Sequence, residues 1–409
     1  MGVVLSDPFA PSDVLNMARQ WIESGQPTRG IAQLEAQVSE PESTAGAFRD
    51  LAWGLWWVER QAEAVAQMQK ATRCENTGPI IAYLAWRDLG LMRASVHQFE
   101  ESLQALEMAT LAEEKLAVAP PAAKPLLLAR AEISLYANKP KQALALALGV
   151  MEFSREAIPQ ALVIAAEARA LQGQVSLEPF LPILKTHFAN MVGVLTDRVE
   201  QGDPAILRHV ALEMLEVFPD SIPDAQKMEI ALLNTLVRLD ALVKDLPAKA
   251  KTLSRLMSHY AKSGDRPAWA QARLEWIRNQ IDRSQLEGLD LALEELEAIG
   301  KGEGWGSFHA SATRQRGRLE ACKGNNPLAR EAFRLAIQLS RAAGDESEAG
   351  RAEVVLGIQL FHEGEDVEAI RWLDMGLEHL DHEDEHAKAA LHHRGCIIDR
   401  KPCACFQKR

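Results

Sequence analysis

The residues from His382 to His386 read H-E-D-E-H and therefore satisfy the pattern H-E-x-x-H. On a helix, two histidines one turn apart could bind zinc, and Glu383 between them could activate a zinc-bound water. His392 follows His386 by six residues, which is the spacing of a third zinc ligand in the extended form of this motif. The extended motif needs a glycine where Ala389 stands, and no methionine follows His392. We therefore interpret this acidic stretch as a solvated link between helices and keep a zinc metallopeptidase as a remote alternative.

A second group of metal-ligating residue types lies near the C-terminus: His392, His393, Cys396, Cys403 and Cys405. Imidazole and thiolate groups at short spacing suit zinc, so a structural or adventitious zinc site is chemically allowed. The spacing C-x6-C-x-C matches no standard zinc finger. We predict a basic, Cys-containing tail here and leave open whether it binds metal.

The composition indicates a helical, acidic protein. Apolar residues make up 47% of the 409 residues, aromatic residues only 6%, and Ala and Leu dominate, which favours helices over sheets. The formal net charge of −12 argues against nucleic acid as the main partner, because phosphate binding needs concentrated positive charge. The sequence contains no phosphate-binding loop and no spacing that distinguishes a catalytic triad, so we predict no catalytic residues and no cofactor.

Nothing in the sequence predicts membrane insertion or secretion. Apolar runs fall short of the roughly 20 residues that span a bilayer, and the first residues lack a basic region followed by an apolar core. The opening MGVVLS fits the N-myristoylation pattern through Gly2 and Ser6, and an ordinary disordered start is the alternative. Five cysteines do not make a disulfide framework, so a cytoplasmic location is expected.

One pattern occurs twice near the C-terminus, with the copies forty residues apart. Both copies place residues 7, 12, 16 and 19 positions after a leading glycine: Gly317, Gly324, Ala329, Phe333 and Ala336, then Gly357, Gly364, Ala369, Leu373 and Gly376. Small residues at fixed places on two consecutive helices allow close approach, and the large apolar residue fills the remaining space. Each copy is therefore predicted to be a helical hairpin that must stack on its neighbours.

This arrangement resembles the tetratricopeptide repeat (TPR) family, whose two-helix repeat has small residues at fixed positions. A second instance lies near the N-terminus, where three residues recur after 34 positions: Ala18, Gly30 and Leu34, then Ala52, Ala64 and Met68. The resemblance is clearest over 11–76 and 310–381. It implies an all-α fold, a right-handed α-solenoid of roughly nine or ten hairpins.

Changes in composition and turn signals suggest how the chain is organised. Residues 1–11 are predicted to be a flexible N-terminus and 12–300 an N-terminal and middle array of TPR-like hairpins. Residues 308–391 are predicted to form a C-terminal pair of hairpins with a following helix, before the tail at 392–409. The segment between the arrays, KGEGWGS, contains three glycines in seven residues and is either a joint or a long loop.

In the TPR family the first helix of each hairpin lines a concave groove through fixed inward-facing positions. Carried over position by position, the resemblance implies a groove lined by arginines and aromatic residues: Arg19, Arg49, Trp53, Trp56, Tyr83, Arg87, Arg314, Arg318 and Arg351. Arg and Trp are enriched at binding hot spots, and Arg can hold a carboxylate with two parallel hydrogen bonds. Alternatively, the tryptophans fill gaps between hairpins and the C-terminal arginines form a solvated charged face.

The resemblance thus implies a non-enzymatic scaffold or adaptor that binds a protein or peptide segment in its groove. The residue types of the groove suggest a partner segment with carboxylates and an apolar anchor. A regulatory, peptide-sensing TPR array that acts through a partner protein is the alternative, because such arrays use repeats nearer 40 residues. The fold alone does not choose between these roles.

Overall fold

The computed structural model describes residues 11–39, 43–75, 77–116, 126–174, 176–216 and 224–399. Within these ranges the chain forms 20 α-helices and two short 3-10 helices, with no β-strand. The first eleven helices are α1 (Asp13–Glu23), α2 (Pro27–Val38), α3 (Ala45–Trp57), α4 (Gln61–Arg73), α5 (Pro79–Ser95), α6 (Phe99–Glu113), α7 (Leu126–Tyr136), α8 (Pro140–Phe153), α9 (Ile158–Leu171), α10 (Leu181–Arg198) and α11 (Pro204–Glu216). The remaining helices are α12 (Ala225–Leu242), α13 (Leu246–Ser263), α14 (Arg266–Asp282), α15 (Leu289–Gly302), α16 (Gly306–Cys322), α17 (Asn326–Ala342), α18 (Glu346–His362), α19 (Asp366–Glu378) and α20 (Glu385–Ile398). The prediction of an all-α fold is confirmed.

The helices α16 to α19 repeat every 20 residues, with first residues at 306, 326, 346 and 366. The turns that precede them contain Gly304, Gly324, Gly344 and Gly364, and all four glycines have a positive φ. A residue with positive φ ends a helix, and glycine adopts this conformation without a steric penalty. Two such helices make one hairpin of 40 residues, which is the period predicted from the sequence.

Close packing within these hairpins depends on the glycines of the repeated pattern. A Cβ atom at Gly317 would lie 2.5 Å from the Phe333 ring, and one at Gly357 would lie 2.9 Å from Cγ of Leu373. Phe333 and Leu373 are both fully buried. Each large side chain occupies the space that a missing Cβ leaves, so the prediction of TPR-like hairpins is confirmed.

The N-terminal hairpins follow the same principle with shorter helices. The helices α1 and α2 have 11 and 12 residues, and a Cβ atom at Gly30 would lie 2.8 Å from the carbonyl oxygen of Ala18. In the next hairpin, α3 with α4, the matching residues Ala52, Ala64 and Met68 are fully buried. The pairs α5–α6 and α7–α8 continue the series.

The middle of the chain is helical but is not a simple series of pairs. Helix α9 packs against α7, α8, α10 and α11. Every residue from Ala161 to Ala168 is buried, including Glu167, whose Oε1 accepts a hydrogen bond from Nε of Arg198 at 2.7 Å. A helix enclosed on all sides is apolar all round, so it shows no stripe of one-sided periodicity. This explains why the repeat pattern is degenerate here.

The chain divides into two compact units, an N-terminal unit of Met1–Pro223 and a C-terminal unit of Asp224–Arg409. This division differs from the joint expected at 301–307. There α15 and α16 pack directly against each other, and a Cβ atom at Gly300 would lie 3.0 Å from Cα of His309. The C-terminal unit consists of the pairs α12–α13, α14–α15, α16–α17 and α18–α19, followed by α20.

The two predicted end segments are only partly described. Residues 1–10 of the predicted flexible N-terminus lie outside the described residues, as do residues 400–409 of the predicted tail. The tail begins inside α20, which continues to Ile398. In the described part of the chain, no helix is both long and apolar enough to cross a membrane.

Candidate partner-binding site

Three predicted residues of the N-terminal groove converge on a buried acid that sequence reasoning missed, Asp88 of α5. Nε of Arg49 and Nε1 of Trp53 both donate to Oδ2 of Asp88, at 2.8 and 2.9 Å. Arg87 donates to Oδ1 through Nε and Nη2, at 3.0 and 2.8 Å. Asp88 is 0% exposed and Arg49 is 9% exposed. This Asp88 cluster (Asp88, Arg49, Trp53 and Arg87) joins α3 to α5.

The other predicted N-terminal residues also contact neighbours within the chain. Arg19 is exposed, and its guanidinium lies 5.5 Å from the centroid of the Trp57 ring. Tyr83 is buried, with the guanidinium of Arg87 at 5.7 Å from its ring centroid. Trp56 is half-buried and packs against two core clusters, as the gap-filling alternative expects.

The C-terminal unit contains an open pocket of about 280 Å³. Its walls come from α14, α16, α18 and the start of α20, and each of these helices packs against the next in the series. The charged lining includes Arg278 of α14, Arg314 of α16, Glu348 and Arg351 of α18, and Asp384 and His386 at the start of α20. This C-terminal pocket brings together two predicted residues, Arg314 and Arg351.

Arg314 forms the floor of this network as a buried ion pair. Its Nε and Nη2 donate to the two carboxylate oxygens of Glu348, at 2.7 and 3.3 Å. Arg314 is 8% exposed and Glu348 is 3% exposed. Burial lowers the pKa of Arg314, while Glu348 opposes that change. Two parallel hydrogen bonds fix the planar guanidinium, so Arg314 holds α16 against α18.

Arg351 and His386 share Asp384, the residue that caps α20. Oδ2 of Asp384 accepts from Nε and Nη2 of Arg351 at 3.1 and 2.9 Å, and Oδ1 accepts from the backbone N–H of His386 at 2.8 Å. Burial raises the pKa of Asp384, but the N–H of His386 and the Arg351 guanidinium outweigh it and hold the pKa below the ordinary value. The cap therefore ties α20 to α18.

His386 is a neutral imidazole at physiological pH. Burial and the nearby positive charge of Arg314 lower its pKa to about 4. Nδ1 of His386 lies 3.2 Å from Oδ1 of Asp384, and Nε2 lies 3.4 Å from Nη1 of Arg314. A ring with its proton on Nδ1 satisfies both contacts, because Nδ1 then donates to the carboxylate and Nε2 accepts from the guanidinium.

Arg278 is the most loosely held cation of the C-terminal pocket. Its Nη2 lies 3.4 Å from Oε2 of Glu385, whose side chain is 86% exposed, and its Nη1 lies 3.9 Å from Oε2 of Glu275. Glu275 is already paired with Lys249 at 2.6 Å. The side chains of Arg278 and Arg351 are 38% and 37% exposed, so both guanidinium groups face the pocket opening. An incoming carboxylate could replace Glu385 at Arg278 at little cost.

Arg318, the remaining predicted residue, is bound elsewhere on α16. Its Nη1 donates to Oε1 of Gln315 at 3.0 Å, and its Nη2 donates to Oδ1 of Asp282 at 2.6 Å. Its positive charge still contributes to lowering the pKa of Arg314. Arg318 therefore supports the electrostatics of the pocket without forming part of its wall.

The H-E-x-x-H segment does not form the helical zinc arrangement. Helix α20 begins at Glu385, so His382 lies in the preceding turn and Asp384 serves as the helix cap. His386 points at Arg314 and Asp384, as the distances above show. Among the described residues, no group of three or more His, Cys, Asp or Glu is placed to hold a metal ion. The interpretation of this stretch as a link between helices fits the structure.

The sequence contained a signal for the acids that were missed. Each paired arginine on a first helix has its acid about one repeat further along: 39 residues for Arg49 with Asp88, 34 for Arg314 with Glu348 and 33 for Arg351 with Asp384. First helices of successive hairpins lie side by side, so residues one period apart face each other. A search for opposite charges at the repeat period would have found these pairs.

Comparison with known proteins adds little to this picture. No protein-family model matches the chain, and no curated protein matches its sequence. A structure of TPR-like repeats from Podosopora anserina is similar at a TM-score of 0.35 with 16% identity, over 44% of this chain and 94% of that one. The structure of Naa15/Naa10 bound to HypK-THB has a TM-score of 0.34 with 14% identity, over 95% of this chain and 66% of that one.

A tetratricopeptide repeat protein from Parabacteroides merdae ATCC 43184 is similar at a TM-score of 0.32 with 12% identity, over 72% of this chain and 93% of that one. Similarities this low establish neither a family nor a function. The assignment of TPR-like hairpins therefore depends on the helix period and the glycine packing of this chain.

Proposed function

We propose that this protein is a non-enzymatic helical scaffold that binds a carboxylate-bearing segment of a partner protein in the C-terminal pocket. The observation that carries the proposal is that four successive first helices present their charged residues to one open pocket. In that pocket Arg278 and Arg351 keep more than a third of their side chains exposed. Arginine is well suited to this role, because its planar fork matches a carboxylate.

The polarity of the pocket favours a charged polypeptide over a small apolar ligand. Small-molecule sites are mostly lined by apolar and aromatic residues. Here the lining is dominated by arginines and acids, while Leu274 of α14 offers apolar surface for an anchoring side chain. A segment lying across the four helices would meet Arg278 first through its loosest contact, that with Glu385.

The buried ion pair beneath the opening supports this use of the pocket. Arg314 and Glu348 fix the spacing of α16 and α18, and Asp384 fixes α20, so the exposed arginines are held on rigid elements. Rigid presentation lowers the ordering cost of binding. The N-terminal groove offers less, since Arg49 and Arg87 are both bound to Asp88.

A second role uses the same binding chemistry. The 40-residue period of α16 to α19 is that of regulatory, peptide-sensing TPR arrays, and this period supports a sensor that acts through a partner protein. A scaffold should bind its segment within a folded partner, whereas a sensor should bind a free short peptide. The two roles therefore predict different ligands at one site.

Selection from a displayed library of random peptides tests the proposal with the full-length protein as bait. We expect enriched peptides to combine Asp or Glu with an apolar residue, and we expect Arg278→Gln to weaken their binding about 10-fold or more. The matched control is Arg371→Gln, on an exposed face of the second helix α19. Enriched peptides without acidic residues, or equal binding by the Arg278→Gln protein, would contradict the proposal.

A further inference from the structure

The last helix carries a histidine and a cysteine one turn apart that the proposed function does not use. Sγ of Cys396 lies 3.8 Å from Nε2 of His392 on α20. His392 is exposed and Cys396 is half-buried, so both atoms are within reach of solvent. This pair lies apart from the C-terminal pocket, which α20 lines through its first residues.

The separation of these two atoms fits a shared metal ion. Zinc binds thiolate sulfur at about 2.3 Å and imidazole nitrogen at about 2.0–2.1 Å in tetrahedral geometry. Those distances and that angle place the sulfur and the nitrogen about 3.6 Å apart. The observed 3.8 Å therefore needs only a small side-chain adjustment to bring both atoms onto one ion.

The sequence supplies two further ligands directly after the helix. Cys403 and Cys405 follow Cys396 by seven and nine residues, and they lie outside the described residues. Four residues separate Asp399 from Cys403 along the chain, a reach of about 13 Å when extended. That reach is sufficient for the segment to return to the last turn of α20. Together the four residues make a Cys₃His set, one of the standard ligand sets of structural zinc sites.

We propose that His392 and Cys396 form the helical half of a structural zinc site completed by Cys403 and Cys405. Thiolate and imidazole ligands select zinc over magnesium or calcium, which prefer oxygen ligands. Four protein ligands leave no open position for a substrate, so the site is structural. Bound zinc would fasten the segment 400–405 to α20 and stabilise the end of the helical array.

Cobalt substitution in the reduced full-length protein tests the site. Tetrahedral cobalt with thiolate ligands gives visible ligand-field bands and a near-ultraviolet charge-transfer band. We expect one cobalt per chain with both bands, displaced by one zinc. We expect His392→Gln and Cys396→Ser each to abolish tight binding, measured as loss of the bands in the presence of a competing chelator. The double change Cys403→Ser with Cys405→Ser should remove most of the charge-transfer intensity.

Matched controls lie on nearby exposed residues. Cys322→Ser, at the end of α16, and His382→Gln, before α20, should leave the stoichiometry and both bands unchanged. Circular dichroism verifies that each variant keeps its helices. Absence of stoichiometric binding, an adventitious ion only that the chelator removes, or bands that survive His392→Gln with Cys396→Ser would overturn the proposal.

Discussion

The Asp88 cluster and the C-terminal pocket use the same residue types for different ends. In the N-terminal unit one fully buried acid accepts hydrogen bonds from two arginines and a tryptophan. In the C-terminal unit two acids, Glu348 and Asp384, alternate with Arg314 and Arg351 on successive first helices. The first arrangement closes on itself, whereas the second leaves exposed guanidinium groups beside an open pocket.

The difference shows that an arginine on a first helix does not by itself mark a binding groove. What decides is how many acids are available one repeat away and how deeply they are buried. Where a single buried acid must neutralise two arginines, the arginines are held by the fold. Where acids and arginines are matched, part of the positive charge can serve a ligand.

Removing the acid of the N-terminal cluster should give the largest effect. We expect Asp88→Ala to lower the free energy of unfolding by about 3–5 kcal/mol, because Arg49 and Arg87 would lose the partner of a buried charge. Urea unfolding followed by circular dichroism measures this. A loss below about 1 kcal/mol would mean that the cluster is only a surface arrangement.

The equivalent change in the C-terminal unit should be smaller. We expect Arg314→Met to cost about 3 kcal/mol, since it leaves Glu348 buried without its main partner. Nη1 of Arg351 lies 3.6 Å from Glu348 and offers partial compensation. The double variant with Glu348→Leu should recover part of the loss in a double-mutant cycle. A larger loss for Arg314→Met than for Asp88→Ala would reverse the comparison.

A third prediction separates the two regions by pH. The pKa of His386 is about 4 in the folded chain against an ordinary value of 6.5, so the unfolded chain binds a proton first as the pH falls. Stability should therefore decline by on the order of 2 kcal/mol from about pH 6.5 to pH 4 through this group. His386→Gln should flatten that slope, whereas His382→Gln should not. Identical pH profiles for the wild-type and His386→Gln proteins would contradict the environment described here.

The smallest effects concern the repeat itself. Gly317→Ala should cost about 1–3 kcal/mol, because the new methyl would overlap the Phe333 ring. Gly149→Ala on α8, where an added Cβ meets no atom within 4 Å, should be neutral or stabilise by up to about 1 kcal/mol. Thermal unfolding of the two variants checks this contrast. Equal destabilisation would argue against the glycine packing on which the hairpin assignment depends.

Much of the fold could be predicted because small residues carry their meaning in their spacing. The offsets from Gly317 to Phe333 and from Gly357 to Leu373 specify a close helical contact whatever surrounds it. The middle could not be predicted in the same way, because α9 is apolar all round. Likewise, nothing at 301–307 distinguishes a joint between units from the tight connection of α15 to α16.

The candidate site was predicted less well, since inward-facing positions do not reveal what the side chains bind. Arg49, Trp53 and Arg87 occupy such positions, yet their contacts depend on Asp88, which lies one repeat or one residue away. Arg278 lay outside the predicted set, although it is the most accessible arginine of the C-terminal pocket. Charge pairs at the repeat period are the property that the search for groove positions left out.

The most direct measurement compares the two regions as binding sites. A fluorescently labelled acidic peptide from the selection is titrated with wild-type, Arg278→Gln and Arg19→Gln proteins, Arg19 being the exposed arginine of the N-terminal groove. The account predicts an affinity about 10-fold or more lower for Arg278→Gln and unchanged for Arg19→Gln. Weakened binding by Arg19→Gln together with unchanged binding by Arg278→Gln would contradict it.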